Sequence, residues 1–91
     1  MPDPGYKASK EQLLRRLSRV EGQVRGVARM VEEDRYCIDV LTQISAIRAA
    51  LDKVALGLVD DHARHCMRDT KRDPDQDVDE LMSALGRMLS R

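Results

Sequence analysis

Three residues of the 91-residue chain have side chains suited to a soft metal ion: Cys37, His62 and Cys66. His62 and Cys66 are four positions apart, which on a helix puts them on one face about one turn apart. A thiolate and an imidazole at that separation can hold one ion, although such a pair also arises with no metal role. Cys37 lies 25 residues before His62. If one unbroken helix carries both, a rise of ~1.5 Å per residue separates them by roughly 37 Å. They could not then share an ion within one chain, nor could the two cysteines form an intrachain disulfide.

An antiparallel partner helix from a second chain resolves the geometry. Cys37 of one chain would meet His62 and Cys66 of the other, giving two identical sites about a dyad. The dyad would fall near position 50, where Ala49 and Ala50 are small enough for two helices to approach closely. The competing reading makes Cys37 and Cys66 ordinary small buried residues. Two sulfurs and one imidazole nitrogen favour Cu(I), which accepts three ligands, over Zn(II), which prefers four, and Ni(II), which favours nitrogen and oxygen. His65 is a possible fourth donor, but it sits about 100° round the helix from Cys66 and is read as a solvated or supporting side chain. No set of nucleophile, base and oxyanion donor is visible, so an enzyme is not expected.

The elements that must position these residues read as all-α, in a single domain spanning 1–91. The spacing predicts helix 1 over 7–33. It opens on a Ser9-x-x-Gln12 capping box and carries Leu13, Leu17, Val20, Val24, Val27 and Val31 as a heptad seam. Its end is expected within Glu32-Glu33-Asp34. Helix 2 is expected over 36–67, with Ile44, Ile47, Leu51, Val54 and Leu58 on one stripe and Gly57 tolerated inside it. At roughly 45 Å it is longer than an isolated small globule needs, which calls for a partner helix. A linker containing Asp73-Pro74-Asp75 leads to helix 3, expected over 77–90 with Asp77-x-x-Glu80 as its cap.

Composition agrees with this outline. The chain is 42% hydrophobic but 2% aromatic, so its core must be aliphatic, and a core this small is often completed by oligomerisation. Formal net charge is zero, yet Lys7, Lys10, Arg15, Arg16, Arg19, Arg25 and Arg29 concentrate in the first helix while acids gather at 60–61 and 69–80. Arg15, Arg19, Arg25 and Arg29 fall opposite the apolar seam, with Arg16 at its flank and Gly22 and Gly26 among them. Such a face can contact DNA phosphates; it can equally be a solvated helix face. The glycines suggest that something approaches closely there. The polar Met1–Gly5 segment and the lack of a long apolar run predict neither export nor a membrane span, hence a reducing cytoplasm and free thiols.

The segments Arg16 to Gly26, Tyr36 to Ala46 and Asp61 to Cys66, with their ordered Cys37, His62 and Cys66, resemble the copper-sensing CsoR branch of the CsoR/RcnR repressors over essentially the whole chain. The resemblance implies antiparallel dimers assembled into a disc-shaped tetramer, with Cu(I) between protomers. It also implies that Tyr36 and Glu80 couple the metal to DNA release, with Asp79 the alternative to Glu80, and that Arg16 and Lys53 contact DNA. The expected function is a Cu(I)-responsive repressor that releases operator DNA on binding the metal. The alternatives are a sensor of persulfide or formaldehyde acting through a thiol, and a copper-buffering protein without DNA.

Overall fold

The computed structural model describes residue 6, residues 9–68, residue 71 and residues 73–89, with residues 66–68 described in backbone alone. Three helices follow one another: α1 (Lys10–Glu32), α2 (Cys37–Arg68) and α3 (Pro74–Leu89). No strand occurs among the described residues. The chain divides into two compact units, one spanning Ala8–Gly57 and the other formed by Met1–Lys7 with Leu58–Arg91.

The first unit is an antiparallel helical hairpin, and its turn is made by local backbone chemistry. Glu33 closes α1, and Asp34 follows in the left-handed region at φ 55°. The Asp34 N–H donates to the Val31 carbonyl and the Arg35 N–H to the Met30 carbonyl. These paired bonds form a Schellman motif, which satisfies the last carbonyls of α1 and reverses the chain. Aspartate tolerates the conformation better than most residues with a side chain. The first helix therefore ends where the acidic run predicts. Its start differs from the capping-box expectation. Ser9 stands at the N-cap position with φ −110° and ψ 13°, outside the extended region, and makes no side-chain cap hydrogen bond. Positions 7 and 8 of the expected helix lie outside the described residues.

Leu13 and Val20 from α1 and Ile47 and Val54 from α2 form the buried core. Both pairs are seven residues apart, one contact per two helical turns. A Cβ added at Gly57 would lie 3.6 Å from a Leu13 methyl, so the start of α1 packs beside Gly57. Gly57 leaves α2 unbroken. Much of both seams is open: Leu17, Val24 and Val31 on α1, and Leu41, Ile44 and Leu51 on α2, are exposed, while Val27 is half-buried. One chain thus buries only part of its apolar stripes. Truncation at Ile47, which touches the best-buried layer, should cost about 2–4 kcal/mol. Thermal unfolding of Ile47→Ala at fixed protein concentration checks this.

In the second unit α3 begins three residues earlier than the sequence reading places it. The Asp75 N–H donates to Asp73 Oδ1 at 3.0 Å and the Asp77 N–H to the Asp73 carbonyl at 3.1 Å. Asp73 is therefore the cap, and Pro74 fits the first helical position because its missing N–H is not needed there. The expected Asp77 cap is corrected accordingly: Asp77 is buried inside α3. Leu81 and Leu85 of α3 are half-buried, whereas Val78, Met82, Met88 and Leu89 are exposed.

Candidate metal centre

Cys37 is the first residue of α2, and its thiol is free and exposed. Within one chain, Cys37 is therefore no part of the buried core. Tyr36 precedes it, also exposed, and its carbonyl accepts the Val40 N–H at 3.2 Å in the first turn. Twenty-five residues on, His62 is half-buried. The side chain of Cys66 lies outside the described residues, while its backbone continues α2.

α2 runs without interruption from Cys37 to Arg68, so helical periodicity fixes how its residues are distributed around it. At ~100° per residue, positions 37, 62 and 66 fall within about 40° of one another. The exposed Leu41, Ile44 and Leu51 share that stripe, and Ile47 and Val54 point toward α1 instead. The sequence reading had not put positions 37, 62 and 66 on one stripe; along it Cys37 is exposed and His62 is half-buried. The same periodicity corrects the expectation for Ala49 and Ala50. Ala50 is half-buried on the side of Ile47 and Val54, and Ala49 is turned away from the donor stripe. The donor stripe near its midpoint instead carries Arg48, Leu51 and Asp52. Among the described residues of one chain, no three His, Cys, Asp or Glu side chains gather into a metal site.

His62 lines a groove of about 400 Å³ within the second unit. Leu58, Val59, Leu81 and Ala84 give it an apolar wall; Glu80, Arg87 and Tyr6 supply polar groups. The structure thus brings Glu80 to the same groove as His62, and of the two acids considered it is Glu80, not Asp79, that lines it. Sequence reasoning missed Tyr6 and Arg87. Arg87 was legible, since it lies seven residues after Glu80 on the same face of α3. No periodic signal marks Tyr6, which precedes the helices. His65 is half-buried rather than solvated.

The basic residues occupy the other unit. Arg15, Arg19, Arg25 and Arg29 are exposed, and Arg16 is half-buried at the edge of the seam. Arg25 is paired with Glu21 one turn earlier, which spends part of its charge within the helix. Counting inward from the Leu13–Gly57 contact on both antiparallel helices brings Arg16 and the exposed Lys53 to one level of the hairpin. Helical periodicity puts them on one flank, on the side away from the donor stripe. A Cβ at Gly22 or Gly26 would meet nothing within 4 Å, so packing inside the chain does not require glycine there.

Such a chain, three helices with Cys37, His62 and Cys66 along α2 and exposed arginines along α1, has the make-up of a metal-responsive DNA-binding protein. Residues 9–87 match the family model described as metal-sensitive transcriptional repressor, and the chain belongs to that family. It is 64% identical over 63 residues to the copper-sensing transcriptional repressor RicR of Mycobacterium tuberculosis, covering 69% of this chain and 66% of RicR. It is 53% identical over 81 residues to the copper-sensing transcriptional repressor CsoR of Bacillus subtilis, covering 85% of this chain and 80% of that protein. Among solved structures, the Cu(I)-bound copper-sensing repressor CsoR of Geobacillus thermodenitrificans superposes with a TM-score of 0.82 at 46% identity, covering 97% of this chain and 92% of that one. The nickel-responsive regulator InrS superposes with a TM-score of 0.76 at 44% identity, covering 87% and 91%.

Proposed function

We propose that this chain is a cytoplasmic, Cu(I)-responsive repressor whose metal site is shared between two chains: Cys37 of one with His62 and Cys66 of its partner. The observation that carries the reading is an unbroken α2 that starts at the exposed Cys37 and whose periodicity puts positions 62 and 66 on the same stripe. An antiparallel partner laid on that face brings the two ends of the stripe together twice, once at each end of the dyad. The donor set fits Cu(I), which would supply strong bonds between chains when bound; a site for Ni(II) would call for more nitrogen or oxygen donors. The copper-sensing names of RicR and the two CsoR proteins point the same way.

Operator DNA is the partner for the cationic flank. Arg16 and Lys53, with Arg15, Arg19 and Arg29, would face phosphates; Arg25 contributes less because Glu21 holds it. Drawing Cys37 against the partner's His62 and Cys66 fixes the crossing of the two α2 helices. Each α2 is half of a hairpin with α1, so that crossing also sets the spacing of the two cationic flanks in a dimer. Antiparallel dimers would assemble further into a disc-shaped tetramer. To switch repression, metal and DNA must oppose each other by at least a few kcal/mol. A gel-shift on the promoter beside the encoding gene, with and without Cu(I), tests the proposal: the shift should appear without metal and disappear with one equivalent per chain. A shift that is insensitive to Cu(I) but lost with persulfide or formaldehyde would assign a thiol sensor, and no shift at all a copper buffer.

Glu80, in the groove with His62, is the acid that couples ligand to helix movement, with Tyr36 beside Cys37 as the second coupling residue. Glu80→Ala should therefore change Cu(I) affinity by no more than about tenfold while blunting DNA release. Parallel measurements of metal affinity and of the gel-shift midpoint check it; full release at the normal Cu(I) ratio would remove Glu80 from the coupling.

A further inference from the structure

The donor stripe of α2 carries charge at its centre, which an apolar dimer face does not require. Arg48 and Asp52 are both exposed, one turn apart, and flank the midpoint with the exposed Leu51 between them, Leu41 and Ile44 lying toward the Cys37 end and His62 toward the other. A shared site in which Cys37 faces the stretch between the partner's His62 and Cys66 sets the register of the two helices. Arg48 then lies opposite the partner's Asp52 and Lys53. Lys53 is turned about 160° from the centre of the stripe and Asp52 only about 60°. By the dyad, Asp52 lies opposite the partner's Arg48 in turn.

We propose that Arg48 and Asp52 form two symmetry-related ion pairs across the α2 dyad, and that these pairs select the antiparallel register in which the metal site is complete. The inference rests on the shared-site reading and names what recognises the second copy of this chain. The apolar residues of the stripe provide area but little register, because Leu41, Ile44 and Leu51 can slide past one another. The charges discriminate. A parallel arrangement would set Arg48 against the partner's Arg48, and a slip of one turn would break both pairs across the dyad. Charge patterns of this kind act more through the penalty on wrong pairings than through the net strength of the right one.

The register makes a pairing test with four outcomes. In Arg48→Glu, each glutamate faces the partner's Asp52; in Asp52→Arg, each new arginine faces the partner's Arg48. Each variant alone should self-associate at least about tenfold more weakly than the parent chain. Mixed, the two variants should pair with each other, since Glu at 48 meets Arg at 52 and Asp52 meets Arg48. The double variant Arg48→Glu with Asp52→Arg should pair with itself and exclude the parent chain. Native mass spectrometry of mass-tagged full chains, with copper chelated, reads the pairing, and circular dichroism confirms helical content. Free mixing of the double variant with the parent chain would overturn the proposal, as would failure of the single variants to prefer each other. Because no metal is present, these results separate the register from the metal assignment. Copper titration of the mixed pair then speaks to the site alone.

Discussion

Replacing Cys37 with alanine is expected to abolish tight Cu(I) binding at both sites of a dimer while leaving the helices and DNA binding in place. Each ligand of a tight metal site carries on the order of 3 kcal/mol, so the loss should be at least about 100-fold in affinity. Because Cys37 is exposed at the start of α2 and outside the buried core, its truncation opens no cavity. The variant should remain a repressor that no longer responds to copper. In the parent chain, X-ray absorption should show two sulfur neighbours and one nitrogen around Cu(I). A fourth sulfur or nitrogen neighbour, or unchanged affinity in Cys37→Ala, would contradict the donor set.

Alanine at Arg16 or at Lys53 should weaken operator binding by about tenfold each at moderate salt, with Cu(I) affinity unaltered. Each substitution removes one phosphate contact, so the slope of log affinity against log salt should flatten by about one for each residue on every chain that touches DNA. The two residues share a level and a flank of the hairpin, on the side away from the donor stripe. Arg25→Ala serves as an internal comparison. Its guanidinium is already held by Glu21, and its effect should be smaller. Equal DNA affinity in the Arg16, Lys53 and parent chains would take the cationic flank out of the account.

Much of this was legible in the sequence because helical periodicity is a strong signal. The seam of α1, the end of α1 within Glu32-Glu33-Asp34 and the continuity of α2 through Gly57 all follow from residue type and spacing. What the sequence reading misplaced turned on local competition. Asp77 and Asp73 both head acidic turns, and Pro74 decides between them because it suits the first turn and removes no needed donor. Ser9 looked like half of a capping box, but its backbone lies outside the extended region of a side-chain cap and it makes no cap hydrogen bond. The crossing was misread at Ala49 and Ala50 because residue size was weighed without helical angle. The half-burial of Ala50 beside Ile47 shows which way that pair faces. The groove of His62, Glu80, Arg87 and Tyr6 was only partly legible, since a residue ahead of the first helix carries no periodicity that could place it there.

The shared site is tested most directly by mixing two inactive chains. Cys37→Ala lacks one end of the donor stripe, and His62→Ala combined with Cys66→Ala lacks the other; neither should bind Cu(I) tightly alone. In a mixed dimer one site lacks all three donors, and the other keeps Cys37 from the double variant with His62 and Cys66 from its partner. The account predicts that mixing under exchange conditions restores tight Cu(I) binding at about one ion per mixed dimer. If tagged chains are seen to exchange and no binding returns, the three donors do not meet across the dyad and the central claim fails.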